Sequence, residues 1–206
     1  MAKVLYLSAS PRGEQSASIQ TANVFLKALS GDVAVNHIDL FNRALPDVTA
    51  EVTAAKFKAF LGMELEAEEA LQWQVITDLV AEFLDADHYL MAIPMWNFGP
   101  PYKIKQYIDL INHPGMTFTR DENGPRGLAS GSATLIYSRG GDYSPRDGQP
   151  DPLDFQSTYM HAWLGTVGIT NVEEILVQNT MAGPDALKTT IDGVTEQLTA
   201  IAASIS

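Results

Sequence analysis

The feature that most limits what this chain can fold into is an alternation of two periodicities. Short apolar runs recur at 3–8 (KVLYLS), 33–41 (VAVNHIDLF), 87–94 (DHYLMAIP), 132–138 (SATLIYS) and 171–177 (NVEEILV). Runs of this length, bounded by Gly, Pro, Ser or Asp, read as strands. Between them lie stretches with helical spacing. Ile19, Ala22, Val24, Phe25, Leu26 and Leu29 outline the first, which Gly31 closes. Others are predicted over 45–62, 66–86, 101–113, 155–168 and 183–204. Segments 114–131 and 139–152, rich in Gly and Pro, read as long loops. Strands that alternate with helices need right-handed crossovers, hence a parallel sheet covered on both faces. The expected fold class is α/β, a doubly wound five-stranded sheet of order 2-1-3-4-5. One domain over 1–206 is the expectation at this length.

Ligands of such sheets bind beyond the carboxyl ends of the strands, at the switch point between strands 1 and 3. The loops after strands 1, 3 and 4 begin at Ser8, Pro94 and Ser138. They are also the most unusual loops in composition. The first, SASPRGEQSAS (8–18), runs from a strand into a helix. A helix start offers free N–H groups and the positive end of the dipole to an anion. Ser10, Ser16 and Ser18 add hydroxyls, and Arg12 could add charge. There is no GxxxxGK[ST] and no GxGxxG, so a phosphate monoester suits the loop better than a triphosphate or dinucleotide. Taken alone, the loop reads more simply as a serine-capped helix, since Ser is a common cap.

The second loop, PMWNFGPP (94–101), halts a strand and launches a helix. The N–H groups of Met95–Phe98 are expected to be free for the edge of a planar heterocycle, with the Asn97 amide beside them. Met95, Trp96 and Phe98 could line a ring system; the alternative is a turn whose aromatics merely cover the sheet end. In the third, SRGG (138–141), paired glycines permit positive φ and close backbone approach to a ligand, or form a plain flexible turn.

Charge excludes several functions. With 13 Lys+Arg against 25 Asp+Glu the net charge is −12, which argues against nucleic acid and anionic membranes as partners. There are no cysteines, so thiolate nucleophiles, disulfides and Cys-ligated metals are out. The N-terminal apolar run is too short for a signal peptide and no run is long enough to span a bilayer; a cytoplasmic location is expected. His37, His88, His113 and His161 are scattered and read as structural, and no metal is expected.

SASPRGEQSAS, IPMWNFGPPYKIKQYIDLI, GMTFTRDENGPRGL and YSRGG, in this order and spacing, resemble the FMN-dependent NADH azoreductases, also described as NADH:quinone oxidoreductases. The resemblance covers nearly the whole chain and implies a flavodoxin-like fold. It also implies bound FMN, with the phosphate held at Ser10, Ser16, Ala17 and Ser18. The isoalloxazine would lie along Met95, Trp96, Asn97 and Phe98, and its pyrimidine end would meet Ser138, Arg139, Gly140 and Gly141. Members are homodimers with active sites at the subunit interface. The helices at 101–113 and 153–166 would then turn their outer faces to the partner, and Phe118, Tyr143 and Trp163 would belong to the substrate pocket. For Tyr143 and Trp163, ordinary packing is the competing reading.

The implied reaction takes two electrons from NADH or NADPH to the flavin and then, in the same pocket, to a quinone or azo bond (ping-pong). Asn97, Gly140 and Gly141 would tune the flavin; no side chain is needed as nucleophile or general base. Two departures bear on the substrate. Arg120 stands where some members carry an aromatic, and the segment 46–65, with Lys56, Phe57 and Lys58, matches the family poorly. A nitro or flavin reductase on the same site, a flavodoxin-like electron carrier and a flavin-binding sensor are the alternatives. The first loop lacks the Thr-rich phosphate loop of flavodoxins.

Overall fold

The computed structural model describes residues 1–122 and 124–205. Its central strands are apolar at nearly every position because both of their faces are covered. In β1 (Ala2–Ser8) and β3 (His88–Pro94), Leu5, Leu7, Tyr89, Met91 and Ile93 point to one side, and Val4, Tyr6, Leu90 and Ala92 to the other. The first side packs against α2 (Ala50–Phe60), α3 (Ala67–Leu84), α4 (Tyr102–Ile111) and α5 (Phe155–Val167). The second packs against α1 (Ala17–Ala28) and α6 (Pro184–Ala203), through residues such as Phe25, Leu198 and Ala202.

The main sheet is parallel, in the order β2-β1-β3-β6-β7, with β2 at Val33–Asp39, β6 at Ser132–Ser138 and β7 at Asn171–Val177. This is the expected 2-1-3-4-5 order of its five strands. Register places Ser8 beside Ala92, and Pro94 beside Ser138. The ends of β1, β3 and β6 therefore come out on one rim.

One element departs from the sequence expectation. Within 114–131, read as loop, β4 (Phe118–Asp121) pairs antiparallel with β5 (Gly124–Gly127). The β5 sequence, GPRG, has none of the β-branched or aromatic residues that mark a strand. What holds the hairpin is tertiary. Ala129 N–H donates to Val167 O at the end of α5, and Leu128 N–H to Thr117 O, each at 2.9 Å. Gly127 lies so close to this helix end that a Cβ on it would sit 2.0 Å from Gly168 N. The motif residue Asn123 lies outside the described residues.

Two predictions follow from this packing. Gly127→Ala forces backbone apart and is expected to cost about 3 kcal/mol in urea unfolding. Gly193→Ala, exposed within α6 with nothing within 4 Å of a new Cβ, should gain up to ~1 kcal/mol. Equal effects of the two would refute the close-approach argument. The second prediction concerns His88, buried with Nδ1 2.8 Å from Ser132 Oγ, Nε2 3.1 Å from Thr134 Oγ1 and its ring stacked on Phe25. Burial lowers its pKa from 6.5 to about 4. Between those values the unfolded chain takes a proton that the fold refuses. Stability should therefore drop as pH falls from about 6.5 to about 4, by at most ~3 kcal/mol. A His88→Asn variant whose unfolding keeps the same pH slope would remove His88 as the cause.

Candidate active site

The serine loop reaches α1 through a short 3₁₀ turn at Gly13–Gln15. Ser16 is the N-cap by backbone geometry but does not cap with its side chain. Its hydroxyl lies 3.1 Å from that of Ser18 instead. The first-turn N–H groups of Ala17, Ser18 and Ile19 are left without a side-chain acceptor among the described residues. An ordinary serine cap would have filled this position, so the plain-cap reading is not what the structure shows. Ser10, Ser16 and Ser18 are buried, no acid lies in the first turn of α1, and Arg12 makes no ion pair among the described residues. The combination suits a small dianion.

At the end of β3 the chain closes a tight turn. Trp96 N–H donates to Gly99 O at 2.8 Å, and Gly99 N–H to Trp96 O at 3.1 Å. Between them Asn97 and Phe98 have φ of 47° and 73°. Two successive positive φ values make a type I′ turn. For a phenylalanine this conformation is costly, of order 1 kcal/mol or more, and such strain gathers at functional sites. The sequence expectation of four free N–H groups needs correction. Met95 N–H extends the sheet by donating to Ser138 O at 2.8 Å, and Trp96 N–H is used in the turn. The N–H groups of Asn97 and Phe98 and the Asn97 side-chain amide have no partner among the described residues and are exposed.

Trp96 is half-exposed at the rim and lies tilted over Phe41, centroid to centroid 5.7 Å, outside the sheet core. Phe41 also meets Tyr102 at 5.8 Å. Phe41 is a rim residue that the sequence reading did not single out. The rule that selected Ser8, Pro94 and Ser138 could have found it, since it follows β2 at the same sheet end. Tyr143 does join the rim: its ring meets that of Phe98 edge-on at 6.4 Å.

The SRGG segment works differently from expectation. Neither Gly140 nor Gly141 has positive φ; in the neighbouring loop after β3, Asn97 and Phe98 do. The space over Gly140 is taken by Met181, whose Sδ would lie 2.9 Å from a Cβ there. Arg139 does not offer its guanidinium to a ligand. The side chain is 1% exposed, donating through Nε to Gln156 Oε1 at 3.0 Å and pairing through its terminal nitrogen with Asp154 Oδ2 at 2.9 Å. Gln156, itself buried, donates to Ile93 O at 3.0 Å. Asp154 caps α5 by accepting from Ser157 N–H at 3.0 Å. This network ties the ends of β3 and β6 to the start of α5. Thr180 and Gln178, after β7, latch the same segment through Arg139 O and Tyr143 N–H.

The remaining pocket assignments divide. Trp163 is 5% exposed in the core against Phe83, its Nε1 without a partner among the described residues; it is not on the rim, because α5 turns this residue toward the sheet. Phe118 lines a separate cleft, shared with none of residues 94–98 or 138–141. Lys56 caps the end of α4 through the carbonyls of Asp109, Leu110 and Asn112, and Lys58 pairs with Glu69 at 2.6 Å; neither is free for a pocket. Phe57 is exposed. The histidines are held structurally: His37 at Ser8 Oγ, His113 between two backbone carbonyls, His161 at Glu174. No metal-ligating cluster exists among the described residues.

The Arg139 network yields a prediction. Removing one member of a buried ion pair strands the other charge. Asp154→Ala should cost about 3–5 kcal/mol in urea unfolding. Asp154→Asn, which can still cap α5, should recover only the cap contribution of ~1 kcal/mol. Full recovery by Asn would show that the charge of Asp154 is not what Arg139 needs.

Comparison with known proteins agrees with this fold. The family profile of the flavodoxin-like fold matches residues 2–201. The FMN-dependent NADH:quinone oxidoreductase of Nitratidesulfovibrio vulgaris strain DP4 is 40% identical over 191 residues, covering 90% of each chain. Azoreductase from Bacillus anthracis strain Sterne superposes with a TM-score of 0.88 at 30% identity, over 99% of this chain and 100% of that one. An FMN-dependent NADH-azoreductase from Bacillus anthracis strain Ames Ancestor, solved in complex with FMN, gives 0.86 at 26% identity, over 98% and 100%. With a family profile matched over nearly its whole length and a relative 40% identical over 90% of both chains, the chain belongs to the FMN-dependent NADH:quinone oxidoreductase and azoreductase family of flavodoxin-like proteins.

Proposed function

We propose that this protein is an FMN-dependent oxidoreductase passing two electrons from NADH or NADPH to quinones and to azo bonds. One observation carries the reading. The open start of α1 and the N–H groups of Asn97 and Phe98, unpartnered among the described residues, stand at neighbouring strand ends of one rim. They offer an anion site and a hydrogen-bonding ring edge, the two ends of a flavin mononucleotide.

The bound flavin supplies hydride acceptance and release; the protein contributes binding, orientation and electrostatics. Ser10, Ser16 and Ser18, with the N–H of Ala17, hold the phosphate. Met95, Trp96 and Phe98 form a wall for the ring, and the Asn97 amide meets its polar edge. Ser138, Gly140 and Gly141 would bring backbone to the pyrimidine end, where an N–H would donate to its polar edge. Arg139 keeps this segment in place from below.

The working unit in this reading is a cytoplasmic homodimer of single-domain chains. Phe118 lines a cleft that none of residues 94–98 shares, and in this reading it covers the flavin of the neighbouring subunit. Exposed Phe57, Phe60, Leu61 and Met63 at the end of α2 supply apolar surface for such a contact. No helix among the described residues is long and apolar enough to cross a membrane.

The test is spectroscopic, then kinetic. Purified protein should show flavin bands near ~450 nm and oxidise NADH steadily with a quinone. Sedimentation should give twice the chain mass. Ser16→Ala and Ser18→Ala should each weaken FMN binding on the order of tenfold by removing a hydrogen bond to a charged phosphate. A colourless protein that takes up no FMN would overturn the proposal.

A further inference from the structure

A cleft of about 680 Å³ opens between the β4–β5 hairpin and helices α2 and α3. This is within the range of small-molecule sites. Phe60, Trp73, His113, Met116, Phe118 and Arg120 form its walls. The rings of Trp73 and Phe60 meet the buried His113 ring at 4.9 Å and 6.3 Å, which fixes one wall; Trp73 and Met116 also rest on the core. The chain carries 25 acidic residues against 13 Lys+Arg, yet no carboxylate lines this cleft among the described residues. Its one lining cation, Arg120, has neither an ion pair nor a hydrogen bond among the described residues. Cations on the elements around the cleft are occupied: Lys56 of α2 on backbone carbonyls, Lys58 of α2 on Glu69, Arg126 of β5 near Asp121.

Phe118 and Arg120 are two apart on a strand, so their side chains share a face, with about 7 Å between their Cα atoms. A planar ring laid on Phe118 would bring a substituent of that ring to the guanidinium. The planar fork of arginine matches a carboxylate or sulfonate with two parallel hydrogen bonds. We infer that this cleft selects aromatic acceptors carrying a carboxylate or sulfonate, with Phe118 holding the ring and Arg120 the anion. The inference deepens the oxidoreductase reading and rests on it. An aromatic at position 120 would offer stacking without charge, so Arg120 is a specificity residue of this chain.

The test compares two acceptors with one ring system, 1,4-naphthoquinone and 1,4-naphthoquinone-2-sulfonate, on the FMN-loaded enzyme. Arg120→Gln should lower the ratio of kcat/KM for the sulfonate to that for the neutral quinone about tenfold, the worth of one charged hydrogen bond. Arg120→Lys should recover part of it. Added salt should lower the same ratio in the wild type more than in Arg120→Gln. A second readout needs no turnover: unreactive 2-naphthalenesulfonate should quench tryptophan fluorescence, with the signal lost in Trp73→Phe and the affinity reduced in Arg120→Gln. An unchanged ratio in Arg120→Gln overturns the inference. So does a rise in KM for NADH alone, which would assign Arg120 to the donor, or equal binding of the sulfonate by both proteins. If the wild type reduces neither quinone, the oxidoreductase reading fails, and the Trp73 titration still decides whether the cleft takes an aromatic anion.

Discussion

The site depends on one hydrogen bond more than on any other, the donation from Met95 N–H to Ser138 O just past the end of β3. It extends the β3–β6 pairing by one step beyond Pro94. The loops that follow β3 and β6 are both placed from that step. After it, β3 turns back on itself at Trp96–Gly99, and β6 runs into Arg139 and the two glycines. A parallel pair buried on both faces is a rigid base from which to aim two loops, since neither strand can shift without exposing apolar side chains.

Rigidity at the rim is completed from below by the buried Arg139–Gln156–Asp154 network. Its members are linked in series: Arg139 to Gln156 and Asp154, Gln156 to Ile93 O, Asp154 to the first turn of α5. A buried cation so enclosed adds little net stability over an apolar packing, but it admits few alternative arrangements. That fits a group whose task is to hold the two ring loops at a fixed separation. Strain is tolerated at the same place. Phe98 keeps positive φ because the reciprocal hydrogen bonds of Trp96 and Gly99 close the turn around it.

Much of this was legible in the chain itself. The five main-sheet strands and six helices show in the change of apolar period, and the rim follows from the switch-point rule applied to that order. The serine loop and the PMWNFGPP turn were visible because Ser, Pro and Gly carry specific backbone meanings. The β4–β5 hairpin was not, because GPRG has no strand signal and is held by the end of α5. The enclosure of the Arg139 side chain was not legible for a related reason. An arginine beside glycines looks like a ligand group until Asp154 and Gln156, distant in sequence, are seen to enclose it. Trp163 was misplaced because helical spacing does not say which face of α5 meets the sheet.

Sequence alone determined the layer architecture, the strand order and the loops that meet at the rim, since these follow from local periodicity and from the chirality and burial rules of parallel sheets. It also determined the chemical character of the site, through hydroxyls, aromatics and the absence of cysteine. Only the tertiary structure decided which polar groups are spent and which are free. Among the described residues, Ser16 leaves its helix without a side-chain cap, Asn97 and Phe98 keep open N–H groups, Arg139 is consumed within, and Arg120 has no ion-pair partner in the cleft that Phe118 also lines. Whether a donor is satisfied depends on neighbours brought together by folding, which no local pattern records.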